Sequence, residues 1–361
     1  MVVACGRGVL IVGISDQSRS FAQRVLIAAG LIALVALFIY FLGQLIDVLL
    51  LAFAGVLIAV AIDGLTRLVM RYLPLSRAWA LLSALAGILL LIGGFGALIG
   101  PQIAEQLPQL VRQLPEAVRE VTQALRQLPG GENLLREAEQ PAQFLNEEML
   151  ARLGGVFSSV AGAFAGLLIM ALFAIYIALN PKTYVEQVLR LLPKQRRTRV
   201  AEVAAAQGQT LRLWLLSRLV SMVFVGAATA IGLSVLGVPL ALTLGLISGV
   251  LTFIPYLGPI LAAIPTVLVA LLVSPQLAMY AALLYFAVEA VESNLLYPLI
   301  AKGVVHLPPA YTLIIQLAGG AVAGLPGIIL ATPLAVVAVV AVQMLYIQDV
   351  LGEDVEVLGE S

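Results

Sequence analysis

The stretch Ile254-Pro-Tyr-Leu-Gly-Pro259 interrupts an apolar segment that extends from residue 241 to residue 273. Each proline lacks a backbone donor and clashes with the carbonyl one turn earlier, so this segment cannot form one straight helix. A second apolar segment, residues 311–346, is broken in the same way by Gly324-Leu-Pro-Gly327. In a bilayer, backbone groups left unpaired by a break are tolerated only inside protein or along a water-filled cavity. The two breaks therefore indicate the functional region of a membrane-embedded protein.

The composition points to the same class of protein. Hydrophobic residues make up 61% and charged residues 11% of the 361-residue chain, whereas soluble domains have about 45–50% and about 25%. We therefore expect an all-α polytopic membrane protein, because about 20 apolar residues in a helix span the hydrocarbon core. About eight hydrophobic segments are predicted, two of them broken: 25–43, 46–65, 78–100, 157–180, 219–237, 241–273, 276–300 and 311–346.

Lysine and arginine set the predicted orientation. They concentrate before the first segment, between the second and third, and between the fourth and fifth, where Arg212 and Arg218 are assigned to the loop. Both termini are then expected in the cytoplasm. The predicted organisation is a cytoplasmic tail (1–24), spans one to three (25–100), an extracytoplasmic segment (101–156), spans four to eight (157–348) with a transport core (238–348), and an acidic tail (349–361).

The extracytoplasmic segment begins with an apolar heptad pattern. Alternating spacings of four and three are typical of a coiled-coil seam or an amphipathic helix. Pro108 and Pro115 should kink this helix. It could lie on the bilayer or cap its own bundle, or it could join copies of the chain in a homo-oligomer. The two apolar rows are Leu107, Leu114, Val121 and Leu128, and Val111, Val118 and Leu125.

Two carboxylates, Glu289 and Glu292, lie near the middle of the predicted span 276–300. A spacing of three places them on one helix face, and Asn294 extends the polar stripe. An acid at the bilayer centre costs about 2.5–3.5 kcal/mol on insertion scales. We therefore expect them to bind a proton or a coupling cation, although one of them could instead pair with Lys302 or with backbone freed at the first break.

The residues around the two breaks are the candidates for gating and solute contacts. In secondary transporters, discontinuous helices supply such sites through exposed backbone and helix ends, although a kink needed only for packing is the alternative. The second break resembles the first, since Gly258–Pro265 aligns with Gly327–Pro333, as a weak internal repeat or by chance. The candidate residues are Pro255, Gly258, Pro259, Gly324, Pro326, Gly327 and Pro333.

Other features exclude several classes of function. The sequence has no GxxxxGK[ST] or HExxH motif, and its one cysteine and one histidine cannot build a metal centre. A formal net charge of zero argues against nucleic acid as a partner. We therefore expect no enzyme, no catalytic residues, no cofactor and no metal. Asp63 and Arg67, four residues apart, are interpreted as a surface ion pair.

Three motifs resemble the autoinducer-2 exporter family of bacterial inner-membrane proteins. They are Phe253-Ile-Pro-Tyr-Leu-Gly-Pro259, Val291-Glu-Ser-Asn-Leu-Leu-Tyr-Pro298 and Gly324-Leu-Pro-Gly-Ile-Ile-Leu-Ala-Thr-Pro333. The resemblance implies a multi-pass permease of the inner membrane that exports the signal autoinducer-2 or exchanges sodium or lithium for protons. It also places Pro255, Gly258, Pro259, Glu292, Asn294, Pro298, Gly327 and Pro333 on recurrent motif positions.

Three functions remain open from the sequence. The leading one is export of a small solute driven by an ion gradient. The second is Na⁺(Li⁺)/H⁺ antiport through the two carboxylates. The third, of another class, is an oligomeric membrane scaffold assembled through the heptad segment.

Overall fold

The computed structural model describes residues 16–126, 160–300 and 307–353. All regular structure in these residues is helical, which confirms the predicted all-α class. Two π-helical segments, Glu292–Leu296 and Gln343–Leu351, directly follow the α-helices Pro275–Val291 and Pro309–Val342. The α-helices are α1 (Asp16–Tyr72), α2 (Arg77–Arg126), α3 (Val160–Leu179), α4 (Pro181–Arg190), α5 (Lys194–Val235), α6 (Ala241–Leu251), α7 (Leu257–Leu271), α8 (Pro275–Val291), α9 (Tyr297–Ile300) and α10 (Pro309–Val342).

The apolar helices agree with a multi-pass membrane protein. Among the residues that the structure describes, five helical stretches are long and apolar enough to cross a bilayer, judged by length and composition alone: Leu45–Tyr72, Arg77–Arg119, Lys194–Val235, Pro275–Ile300 and Pro309–Leu351. Three shorter apolar helices, Met170–Leu179, Ala241–Leu251 and Leu257–Leu271, accompany them. The chain divides into two compact units, Met1–Leu49 and Leu50–Ser361. In the first, the described residues 16–49 are helical, so the expected turn between residues 43 and 46 is absent. Every contact reported below lies in the second unit.

Helix α2 continues from the predicted third span into the predicted extracytoplasmic segment. Pro101, Pro108 and Pro115 all lie inside it, so the helix does not end at residue 100. The three prolines recur every seven residues and therefore share one face. Pro101 and Pro108 are exposed, so the carbonyls that they leave unpaired can bind water or headgroups instead of ending the helix.

One face of this extension packs against the chain's own α6 and α7. Leu110 is buried in the apolar cluster that includes Leu240, with Leu114 packed against that cluster, and Thr243 donates a hydrogen bond of 2.6 Å to Gln106. This packing agrees with the alternative in which the amphipathic helix caps its own bundle. Of the expected seam, Val111 is exposed, whereas the unpredicted Leu110 and Ala117 are buried. Leu107 and Val118 are half-buried. The side chains of Val121 and Leu125, and all of Leu128, lie outside the described residues.

The first broken segment is a helical hairpin formed by α6 and α7 and joined by residues 252–256 (the first hairpin). Leu240, just before α6, and Val269, near the end of α7, share one buried cluster, so the two arms run antiparallel. At 1.5 Å per residue the 11-residue α6 rises only about 16 Å. This is about half of the hydrocarbon thickness. The predicted span 241–273 is therefore two short helices, and Pro265 lies inside the second.

The second broken segment is also a hairpin (the second hairpin), with residues 309–322 and 325–342 of α10 as its arms. The chain reverses at Ala323 (φ −135°, ψ 18°) and Gly324 (φ 59°, ψ −141°). Only glycine adopts the second of these conformations without strain. Gln316 donates a hydrogen bond of 3.2 Å to Thr332 across the two arms.

The two hairpins share a packing device. The Cα of Gly258 faces the carbonyl oxygen of Leu251, and the Cα of Gly327 faces the carbonyl oxygen of Gly319, each so closely that a side chain would overlap that oxygen. Both glycines stand just after the reversal, on the second arm. The alignment of Gly258 with Gly327 in the sequence therefore corresponds to equivalent structural positions. The breaks are chain reversals, not simple kinks.

Asp63 does not form the surface ion pair with Arg67 that its sequence spacing predicted. Its side chain is only 9% exposed, so it is not part of a surface pair. Arg67 Nε lies 2.7 Å from Asp63 Oδ2, Arg77 Nη2 lies 2.7 Å from Oδ1, and Arg212 Nη2 lies 3.2 Å from Oδ2. A buried carboxylate needs paired charge, and here it ties together α1, α2 and α5. Two of the three partners are distant in sequence, which is why the local pair was misleading.

Candidate functional site

The centre of the candidate site is Glu292, the first residue of the π-helical turn that follows α8. It is 7% exposed, and Ser221 of α5 donates a hydrogen bond of 2.5 Å to its Oε1. The Tyr297 amide bonds the Glu292 carbonyl, five residues earlier, and this bond defines the wider π turn. Such turns occur frequently at functional sites, since they redirect side chains within a helix.

Glu289, one turn earlier, contributes an unsatisfied acceptor. Its Oε1 is buried, and no hydrogen-bond donor reaches it among the residues that the structure describes. The charges of Glu292 and Arg218 lie within electrostatic range of it. An unpaired carboxylate oxygen in apolar surroundings is costly. The site therefore offers a position for a proton or a cation from outside the chain.

Arg218 is the positive charge of this site, and the sequence analysis missed it. Its guanidinium carbon lies 4.9 Å from the ring centroid of Tyr297 and 6.0 Å from that of Trp214. Trp214 is fully buried and meets the Phe253 ring edge-to-face at 5.5 Å. The assignment of Arg218 to a loop is wrong, because α5 begins at Lys194 and not at residue 219. Stacking on aromatic rings stabilises a guanidinium away from water.

Gln316 joins the two hairpins next to this site. Its side chain is fully buried, and its Nε2 donates hydrogen bonds to the Pro255 carbonyl at 2.9 Å and to Thr332 at 3.2 Å. Its Oε1 is buried and has no hydrogen-bond partner in the described part of the chain. Gln316 was absent from the predicted site. A single amide within an otherwise apolar segment was the signal that could have found it.

The predicted residues divide into two groups. Glu292 contacts α5 through Ser221, with Glu289 one turn earlier in α8, and Pro255 contacts the second hairpin through Gln316. Gly258 and Gly327 pack inside their own hairpins. No described contact brings the remaining predicted residues to the carboxylates. Asn294 is exposed and donates a hydrogen bond to the backbone carbonyl of Ala290, and Pro259 is half-buried in the first turn of α7. In the second hairpin, Gly324 and Pro326 are exposed at the reversal and Pro333 is buried in the second arm. Lys302, the alternative partner for a glutamate, lies outside the described residues.

The oxygen atoms near the carboxylates do not form a metal cage. Within residues 16–126, 160–300 and 307–353, no group of three or more His, Cys, Asp or Glu side chains could hold a metal ion. Two carboxylates and one serine hydroxyl, with an arginine nearby, suit a proton or a weakly held monovalent cation better than a resident divalent metal.

A separate cavity of about 440 Å³ lies between α2, α5 and α6. Its lining is apolar and includes Phe95, Leu219 and Val250. On one side Gly226 of α5 meets Gly249 of α6, the close approach of small residues that packs helices in lipid. None of the charged residues described above lines this cavity.

Comparison with known proteins fixes the family. The profile of the AI-2E family transporters matches residues 30–347, nearly the whole chain. The chain belongs to the AI-2E transporter family. This confirms the resemblance inferred from the three motifs. As an AI-2E family member whose described residues include long apolar helices, the chain is a multi-pass membrane protein of a transporter family.

Two AI-2E relatives come from Bacillus subtilis (strain 168), and both carry provisional names as transport proteins. The chain is 28% identical to YueF over 191 residues, which cover 53% of this chain and 52% of YueF. It is 33% identical to YrrI over 156 residues, which cover 43% of this chain and 44% of YrrI. The chain thus spans about half the length of the curated relatives that it matches.

Proposed function

We propose that this AI-2E family protein is an ion-coupled transporter that exports a small solute, and that Glu292 and Glu289 bind the coupling proton or cation. The observation that carries the proposal is the pair of carboxylates at the end of α8, with Glu292 buried on the π turn and Glu289 half-buried one turn earlier. One of them is held by Ser221, and the other keeps a buried, unpaired oxygen. Ionisable groups within membrane-spanning segments typically mark ion pathways.

The hairpins supply the second half of the proposal. Neither α6 nor α7 is long enough to cross the bilayer, and the Gln316 side chain ties the two hairpins together at Pro255. Discontinuous helices near the membrane midplane form the substrate sites of many secondary transporters. Binding of an ion at the glutamates would act on the hairpin reversals through α5, which carries Ser221, Arg218 and Trp214.

Na⁺(Li⁺)/H⁺ antiport is the second candidate, and Glu289 favours it. Glu289 Oε1 has no donor among the described residues, so it can bind a proton and a small cation alternately. Alternate binding of the two ions is the requirement for exchange. The scaffold alternative is not proposed, because Leu110 of α2 is buried in one apolar cluster with α6 and α7 of the same chain.

The test uses the full chain in proteoliposomes that contain a pH-sensitive dye, pulsed with Na⁺ or Li⁺. Glu292→Gln and Glu289→Gln are compared with Glu186→Gln, a change at an exposed carboxylate on α4. We expect cation-dependent proton movement in wild type and in the control, and its loss in the Glu292 variant. Silent wild-type vesicles would exclude antiport. A second set loaded with autoinducer-2, the solute implied by the family resemblance, would then report proton-driven export.

A further inference from the structure

We propose that the arginine cluster around Asp63 is a binding site for the phosphate headgroup of an anionic phospholipid. This inference does not rest on the proposed transport function. Arg67 of α1, Arg77 of α2 and Arg212 of α5 surround the one carboxylate. Within the described residues no second carboxylate pairs with them, so the cluster keeps an excess of two positive charges.

The three arginines keep N–H donors that Asp63 does not accept. Their side chains are 60%, 39% and 32% exposed for Arg67, Arg77 and Arg212. Each guanidinium has five N–H donors in a planar fork that matches a phosphate. Only one nitrogen of each guanidinium donates to Asp63: Arg67 Nε, Arg77 Nη2 and Arg212 Nη2. Donors therefore remain for an anion that approaches from the exposed side.

The cluster lies where headgroups are expected. Asp63 and Arg67 are in the last turns of α1, Arg77 begins α2, and Arg77 also donates a hydrogen bond of 3.2 Å to the carbonyl of Ala178, near the end of α3. Three apolar helices thus end or begin around the same charges. This is the edge of an apolar layer, where basic pockets between helices bind anionic headgroups.

Exposed aromatic side chains near the arginine cluster also indicate the headgroup level of a membrane. Trp79, two residues after Arg77, is 66% exposed, and Tyr72 and Tyr176 are exposed as well. Tryptophan and tyrosine with exposed rings are enriched at the level of the headgroups, because one end of the side chain is apolar and the other polar. Exposed leucines, Leu68 and Leu82, continue from the cluster along α1 and α2, so acyl chains have an apolar surface to lie on. A lipid fits these observations better than a soluble phosphate.

The experiment titrates the full chain, purified in a neutral detergent, with phosphatidylglycerol and with phosphatidylcholine of the same acyl chains. Native mass spectrometry counts the bound lipids. We expect preferential binding of phosphatidylglycerol, weakened about fivefold in Arg67→Gln, since a basic residue near an anionic surface contributes about this factor. The matched control is Arg196→Gln, an exposed arginine near the start of α5, which should bind as wild type does.

A second variant separates binding from folding. Asp63→Asn removes the internal counter-charge, so phosphatidylglycerol binding should become tighter, a gain that a misfolded protein cannot show. The proposal is overturned if wild type binds both lipids equally, if Arg67→Gln equals wild type, or if Asp63→Asn weakens binding. Inorganic phosphate at the same concentration should not displace the lipid, and displacement would mean that the site takes a free anion instead.

Discussion

The side-chain amide of Gln316 donates a hydrogen bond of 2.9 Å to the carbonyl oxygen of Pro255, so the first arm of one hairpin holds the reversal of the other. The Leu257 amide also reaches this carbonyl, at 2.7 Å, within the first hairpin. A single buried side chain thus connects two segments that are 61 residues apart. Movement of either hairpin should be transmitted to the other through this contact.

Gln316→Leu keeps most of the side-chain volume and removes that connection. Because the Pro255 carbonyl keeps its bond from the Leu257 amide, the loss should cost about 0.5–1.5 kcal/mol, the net contribution of one hydrogen bond. We expect a lower melting temperature in detergent and slower transport in vesicles. The control is Gln276→Leu, which removes an exposed bond to Tyr280. Equal melting temperatures for wild type and Gln316→Leu would show that the two hairpins do not depend on this contact.

Gly258→Ala and Gly327→Ala test the close approach of the arms. An added Cβ would overlap the carbonyl oxygen of Leu251 in one case and of Gly319 in the other. The arms would have to separate, at a cost of about 1–3 kcal/mol each. We expect both variants to unfold at lower temperature. Gly208→Ala on α5, where nothing lies within 4 Å, should be neutral or stabilising by up to about 1 kcal/mol. Equal effects at all three positions would contradict the packing argument.

Arg218 is predicted to need its planar guanidinium as well as its charge. Arg218→Lys keeps the charge but loses stacking on Trp214 and Tyr297, whereas Arg218→Gln loses both. Proton movement in proteoliposomes should therefore fall in the order wild type, Arg218→Lys, Arg218→Gln. Arg190→Gln, at an exposed arginine of α4, is the control. Full activity in Arg218→Gln would remove this arginine from the site.

Arg199 is predicted to hold the C-terminal π-helical segment against α5. It bonds the Asp349 carboxylate at 2.8 Å, Gln348 Oε1 at 2.8 Å and the Met344 carbonyl at 3.0 Å. We expect Arg199→Gln to speed amide hydrogen exchange in Gln343–Leu351, with a change in global stability below about 1 kcal/mol because the pairs are partly exposed. Arg196→Gln should leave the exchange rates unchanged. Faster exchange throughout the chain would instead indicate general destabilisation.

The sequence predicted those features that local chemistry determines. Apolar length and composition gave the all-α membrane class, and the prolines and glycines at 255–259 and 324–327 located both reversals. The carboxylates Glu289 and Glu292 stood out because an acid in an apolar segment is costly whatever lies around it. For the reversals and the carboxylates, the physical reason is contained in fewer than ten consecutive residues.

The features that were missed depend on residues far apart in sequence. Arg212 and Arg218 were placed in a loop, since an arginine looks the same there and in a helix until its partner is known. Arg212 meets Asp63 across 149 residues, and Ser221 meets Glu292 across 71. Leu110 and Ala117 of α2 were also overlooked. Alanine adds little to an apolar pattern, although Ala117 is fully buried in the structure. Partners of this kind can be found only once the helices are packed.

A hairpin returns the chain to the side from which it came, so the segment 241–273 counts as no crossing when a membrane topology is drawn. The helices before and after it, α5 and α8, should then run antiparallel. A count of apolar segments, which takes 241–273 as one crossing, would make these two helices parallel. The polarity of α8 relative to α5 is therefore a property of the first hairpin, and the length of the apolar segment alone does not reveal it.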